Sequence, residues 1–270
     1  MADAKMPEEF YVLTKPLLPP EREVGAQGGR PSINHHTVLK VIWHVLVTGC
    51  RWKDVPQEMG CCGETARMRM QTWERAGLWD RVHHLLLTIL NREKKLDLEV
   101  TILDSTQIRA FGGGDQTGPS PVDRRKKGTK FTLLVDRHGA PLVIRTAPAN
   151  QSDHKEALPT AAEFPEVGGK PGRPRTHPEE MYADAGYDSE ATRNVLRWMG
   201  IEPHIRRKGS THGSGLGRVR WVVERTISWL KGLRRMRFRY DRSETSIDAW
   251  TTIAAAVICM RLLTDTINIS

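Results

Sequence analysis

Three acidic residues sit where a chain can do chemistry on an anion. Asp104 closes the β-branched run VTILD, Asp184 lies in MYADA, and Glu224 lies inside the most basic stretch of the sequence. Residues at the ends of strands in α/β sheets emerge into clefts, so the two aspartates are candidates for one site. Cutting a phosphodiester needs an activated oxygen nucleophile and a stabilised leaving oxygen. Two Mg²⁺ ions about 4 Å apart do both, and they prefer hard oxygen ligands. Three carboxylates from separate elements form a minimal set to hold them. Lys and Arg beside them would grip phosphates on either side of the scissile bond. Neither cysteine–histidine zinc chemistry nor a Ser-His-Asp hydrolase finds comparable support. The four cysteines, Cys50, Cys61, Cys62 and Cys259, form no CxxC, and His35-His36 and His83-His84 are adjacent pairs that read as structural.

Glu224 stands out because of its neighbours. Residues 218–242 hold nine Lys/Arg against two acids, whereas the whole chain carries a net charge of +9. The periodicity predicts one long helix from about 218 to 238. At about 100° per residue, Arg220, Glu224, Lys231 and Arg235 share one stripe, opposite Val219, Val222, Trp229, Leu230, Leu233 and Met236. Such one-signed charge is best understood with a polyanion lying along it.

A length of 270 residues suffices for one large domain or two small ones. No apolar run approaches the roughly 20 residues of a membrane span, and the start MADAKMPEEF lacks a signal-peptide pattern. A reduced cytoplasmic protein is the expectation. Residues 1–97 read as helical. Asn34 or Ser32 caps a helix over 34–48, Pro56 opens a short one, and further helices cover about 64–76 and 78–95. Such an arrangement suits a helix-turn-helix-like module. From residue 98 the pattern changes to short strands (100–104, 130–136, 141–147, 181–185, 202–205) and intervening helices. One of these is capped by Asp188, and another covers 248–263. The fold class is therefore α/β, with a mixed sheet flanked by helices and a boundary near residue 97.

The motifs LDSTQIRA, YADAGYDSE and RWVVERTISWLKGLRRMRFRYDR resemble those of DDE transposases, and specifically bacterial insertion-sequence transposases of the insertion-sequence-five family. TGPSPVDRRKKGTKFTLLVDRHGAPL, ANQSDH, TGCRWKDVP and GETARMRMQTWERAGLWD are similar to that family too. The resemblance implies a ribonuclease-H-like catalytic domain over 98–270, preceded by an all-helical DNA-binding domain over 1–97. Asp104, Asp184 and Glu224 would form the catalytic, metal-binding triad, with Mg²⁺ as two ions and Mn²⁺ able to substitute. The family's tyrosine–arginine–glutamate–lysine signature maps onto Arg220, Glu224 and Lys231, with Gly217 where the tyrosine belongs.

The implied activity is binding of the element's terminal inverted repeats, hydrolysis at its ends and joining of the 3′-OH to target DNA. A homodimer or higher assembly on double-stranded DNA is implied, in a nucleoid-associated cytoplasmic protein. Two rivals remain: an inactive DNA-binding regulator derived from such an enzyme, and a nuclease lacking strand transfer. Candidate DNA contacts are Arg220, Arg225, Lys231, Arg234 and Arg235 on the basic stretch, with Arg237 nearby. Lys126, Lys127 and Lys130 enter a strand, and Arg67, Arg69 and Gln71 lie on the third helical segment. Trp43, Trp52, Trp73 and Trp79 read as packing residues, and His154 as a neighbour of the site.

Overall fold

The structure is a computed structural model describing residues 5–21, 31–207, 209 and 217–264. Lys208 and most of the glycine-rich segments at 25–32 and 208–216 lie outside the described residues. The order is α1 (Glu8–Thr14), α2 (His35–Thr48), α3 (Gly63–Arg75), α4 (Leu78–Arg92), β1 (Val100–Ala110), β2 (Gly118–Pro119), β3 (Lys127–Asp136) and β4 (Pro141–Pro148). It continues with α5 (His154–Ala162), β5 (Glu180–Ala183), α6 (Glu190–Trp198), β6 (Glu202–Ile205), α7 (Gly217–Gly232), β7 (Phe238–Arg239) and α8 (Glu244–Thr264).

α2 starts where Asn34 accepts the Thr37 amide and stops at Gly49 in the left-handed region. The short helix expected at Pro56 is a single 3-10 turn, Gln57–Met59. α6 has Ser189 at its N-cap rather than Asp188, whose carboxylate accepts the Arg193 guanidinium at 2.8 Å.

The strands form one mixed sheet in the order β4-β3-β1-β5-β6. β1, β3 and β4 are antiparallel neighbours, and β5 and β6 run parallel to β1. With α5 and α6 in the crossovers and α7 after the last main strand, this is the ribonuclease-H-like arrangement. The helical N-terminal region shares the core: Trp79, Leu86 and Leu90 of α4 are buried in the same apolar cluster as Trp250, Ile253 and Ala254 of α8.

α8 corrects one expectation. It is long and apolar enough to cross a membrane, yet 67% of its apolar window is buried inside the protein, as befits a central core helix. Beside it, Glu74 of α3 buries an Oε2 without a hydrogen-bond partner among the described residues, and burial raises its carboxyl to about 7, reinforced by Asp80 and Asp248.

A carboxyl raised on folding favours the native state only while protonated. Its contribution is complete below about 4.5 and is lost as pH climbs through about 7. Thermal unfolding is therefore expected to show a native state losing up to about 3 kcal/mol between pH 5 and 8, and Glu74→Gln should flatten that slope. A Gln variant with the wild-type pH profile would contradict this assignment.

Candidate active site

β1 runs six residues past the expected end at Asp104, because Thr106, Ile108 and Ala110 alternate inward along it while β3 pairs with it from Thr101 to Arg109. Asp104 thus sits in mid-strand. Its other edge is nevertheless open. β5 pairs with β1 only over Val100–Leu103, and β7 only over Arg109–Ala110. Residues 104–108 therefore border a notch about 17 Å long at 3.3 Å per residue. Asp184 follows the last residue of β5 at one end of that notch, its Oδ1 accepting the Gly186 amide at 2.7 Å.

α7 crosses this region. Val222, Val223, Thr226 and Leu230 are buried, and Thr226 donates to the Gly139 carbonyl at 2.8 Å. Gly139 has φ +89°, and a Cβ there would lie 2.8 Å from both Thr226 Oγ1 and Arg225 Nη2, so the hairpin must present glycine to the helix. The clamp puts Arg220 over the notch. Its guanidinium lies 3.2 Å from Asp104 Oδ2 and 3.9 Å from Asp184 Oδ2, joining a carboxylate of β1 to one just past the end of β5. Arg220, expected to hold DNA, is an ion-pair bridge in this arrangement.

Burial raises the Asp104 carboxyl above the usual range, opposed by the Ser105 amide and by Arg220. Glu224, one turn further along α7, is exposed, and among the described residues no three His, Cys, Asp or Glu side chains converge to hold a metal.

A fourth carboxylate joins the site that the sequence did not single out. Asp153 precedes α5 but makes no cap hydrogen bond. Its Oδ1 accepts Ser105 Oγ at 2.9 Å and Lys130 Nζ at 2.6 Å. A Cβ on Gly186 would meet Asp184 Oδ1 at 2.9 Å and Asp153 Oδ2 at 3.2 Å, so the two acids flank one glycine. The Tyr187 hydroxyl is buried, and burial in the field of Asp153, Asp104 and Asp184 raises it, opposed by the nearby Ser105 hydroxyl. His154 itself is exposed. The available signal was the position of the aspartate, two residues after Gln151 and ahead of a helix, which reads locally as a cap.

The basic candidates separate. α7 ends at Gly232, and the chain turns through Arg234–Met236 before β7, so the helical stripe does not extend to Arg235. Arg235 is buried, paired with Asp241 at 2.7 Å and donating to the Cys50 carbonyl; it is structural. Lys130 is 4% exposed, too buried for a duplex backbone, and belongs to the Asp153 cluster. Arg225 lies between Trp221 and Trp229, 4.7 and 4.5 Å from the ring centroids, and donates to the His138 carbonyl.

On α3, Arg67 pairs with Glu64, Arg69 contacts His35 at 2.9 Å, and Gln71 donates to Ser246 of α8. Arg69 and Gln71 thus reach partners on other helices, whereas the Arg67–Glu64 pair lies on the exposed face of α3. Arg234, Arg237, Lys126 and Lys127 are exposed, and Lys231 is half-buried, its ammonium lowered by burial. Trp43, Trp73 and Trp79 are buried, and Trp52 stacks on Trp250.

Comparison with known sequences gives two consecutive matches. Residues 95–259 match the family described as Transposase DDE domain, and residues 6–83 match transposases of the IS4/5 family. The transposase of insertion sequence element IS402 from Burkholderia cepacia is 42% identical over 151 residues, 56% of this chain and 72% of that protein. An uncharacterized 16.2 kDa protein of the same element is 40% identical over 123 residues, 45% of this chain and 84% of the relative. Among solved structures, the Mos1 mariner paired end complex with Mn aligns with 94% of this chain and 83% of its own at 10% identity, with a TM-score of 0.35.

Proposed function

We propose, from the premise that this chain belongs to the DDE transposases of the IS4/5 family, that it cuts DNA at the ends of its own insertion sequence and joins the freed 3′-OH to target DNA. The observation that carries this reading is the meeting of Asp104 and Asp184, from β1 and the end of β5, on one guanidinium at the open edge of the sheet. Two buried or half-buried carboxylates sharing a single cation form a donor set suited to a hard divalent ion. Asp104, Asp184 and Glu224 would hold Mg²⁺, with Mn²⁺ as a substitute. When bound, the metal supplies activation of the attacking oxygen and stabilisation of the leaving one.

The chain's own residues do the rest. The Thr226–Gly139 clamp fixes the height of α7 over the notch, so Arg220 and Glu224 stay beside the aspartates. Asp153, anchored by Lys130 and Ser105, keeps the Asp184 turn in place. Exposed Arg234, Arg237, Lys126 and Lys127 grip phosphates, with Lys231 nearer the site. Residues 1–97 serve end recognition and residues 98–270 the chemistry. Joining two ends requires a dimer or larger assembly on double-stranded DNA, in the cytoplasm and at the nucleoid.

Incubating precleaved element ends with a supercoiled plasmid tests the joining step. Covalent end–plasmid products are expected. Nicking without joining would reduce the protein to a nuclease, and end binding without nicking would make it a regulator.

The basic residues give a separate expectation. Arg234→Gln and Arg237→Gln should each flatten the log–log salt dependence of DNA binding by up to about 0.9, one phosphate contact apiece. Arg235→Gln should leave that slope unchanged, since its charge is already paired. A slope indifferent to all three would place the duplex on another face.

A further inference from the structure

At the far end of the notch from Asp184, three aromatic side chains that nothing in the core requires stand together in solvent. Phe111, Phe238 and Tyr240 are 52%, 43% and 45% exposed. Phe111 stacks on Tyr240 with ring centroids 5.5 Å apart and planes at 21°, and it touches Phe238 at 5.5 Å. Residue alternation explains the grouping: Arg109 and Phe238 are register partners, so Arg109, Phe111, Phe238 and Tyr240 share one face while Ala110 and Arg239 point inward.

The platform is built rigidly. Phe111 donates its amide to the Arg239 carbonyl, and Asp115 donates its own to the Arg242 carbonyl. Gly114, at φ +108°, sits so close that a Cβ would lie 2.2 Å from that Arg242 oxygen. Arg239, buried, ties the same segment to Thr129 and to the Gln116, Asp241 and Arg242 carbonyls. Rigid presentation lowers the entropy lost on binding.

The rim is cationic. Arg109 lies 4.8 Å from the Phe111 ring centroid, Lys127 borders Gly113, and Arg237 and Arg242 are exposed. Arg124 and Arg125, at the tip of the adjoining loop, adopt φ +48° and +59°, a costly conformation for arginine. Of the nearby acids, Asp123 faces Arg109 at 4.0 Å, Asp115 accepts the Glu244 amide, and exposed Glu244 accepts the Gln116 side chain, so cations outnumber acids along the rim.

A second copy of this chain would bring the same cations to the contact, and like charges would repel. Flat aromatic faces within a positive rim instead match bases that have left the stack, each base offering a π-face and each phosphate a negative charge. We propose that Phe111, Phe238 and Tyr240 form a stacking platform for unpaired DNA bases that lie about 23 Å along the sheet edge from the scissile phosphate, several nucleotides away. The proposal rests on the DNA-cutting reading of the notch.

The test uses the full chain, a 20-base-pair duplex, and the same duplex carrying a five-nucleotide single-stranded tail with 2-aminopurine. Wild type should bind the tailed DNA more tightly and change the 2-aminopurine fluorescence. Phe111→Ala with Tyr240→Ala should weaken tailed binding by about 5- to 100-fold. Blunt-duplex affinity and the salt slope should stay as in wild type. Phe238→Leu, which keeps apolar bulk, should weaken tailed binding while preserving the unfolding temperature. Equal binding of tailed and blunt DNA by wild type would overturn the platform, as would loss of self-association in the variants with tailed binding intact. Failure of wild type to bind even the blunt duplex would instead overturn the DNA reading on which the platform rests.

Discussion

Asp104→Asn and Asp184→Asn are each expected to reduce strand nicking by at least about 10³-fold, since removing one preorganised charge-stabilising group already costs about 10²–10³ in rate. Both changes keep side-chain volume, and neither carboxylate makes the only contact holding its element. Asp104 stands in a strand paired over nine residues with β3, and the turn after Asp184 retains backbone bonds from Tyr187 and Asp188. Folding should therefore survive. Duplex binding should be unchanged or slightly tighter, because each variant removes a negative charge from a surface that approaches phosphates. The contrast between lost nicking and retained binding separates these residues from ordinary basic contacts, whose loss acts first on affinity. Electrophoretic mobility shift and nicking assays on the same DNA measure it. Loss of both together, with an intact unfolding transition, would mean that the aspartates shape the binding surface rather than perform the chemistry.

The second large effect concerns stability. Asp241 accepts hydrogen bonds from Arg235, Trp250 and Trp52, and its ion pair with Arg235 is nearly closed to solvent on both sides. The cluster joins the 234–242 segment to the N-terminal helical region, where Arg235 also donates to the Cys50 carbonyl and Trp52 stacks on Trp250. Removing one partner leaves a buried charge unpaired. Asp241→Ala should therefore cost about 3–5 kcal/mol. For a chain of this size each kcal/mol lowers Tm by about 2–4 °C, a drop on the order of 10 °C. Replacing both members, Arg235→Met with Asp241→Leu, should recover much of the loss, since an apolar pair carries no desolvation penalty. A Tm unmoved by Asp241→Ala would return Arg235 to the list of DNA contacts.

How much of this was legible in the sequence differs from element to element. α2, α3 and α4 show their apolar periodicity and stops at Gly49 and Gly77, so their bounds fall within a few residues of expectation. The strands β3, β4 and β6 read clearly for the same local reason. The local pattern ends β1 at Asp104 because the residues after it are polar on one face, and a polar face beside a cleft looks like a loop until the partner strand is known. The local pattern carries α7 too far because the apolar period continues past Gly232 into Leu233 and Met236, both buried by other means. That overextension carried Arg235 onto a stripe to which it does not belong.

The two aspartates could be named from local sequence, but what joins them could not. Arg220 reaches Asp104 across 116 residues, and Asp153 reaches Ser105 across 48. Such pairings come from sheet topology, which local periodicity does not encode.

The most direct test of the central claim is nicking of DNA carrying the element's own ends, with Mg²⁺ or with EDTA, by wild type and by Glu224→Ala. Glu224 is the exposed member of the proposed triad and has no ion pair among the described residues, so its variant leaves the Arg220 bridge in place and isolates the third carboxylate. Nicking at the ends by wild type in Mg²⁺, abolished by EDTA and by the substitution, is the expected result. Nicking that persists in EDTA, or in Glu224→Ala at the wild-type rate, would contradict a three-carboxylate metal site at this notch.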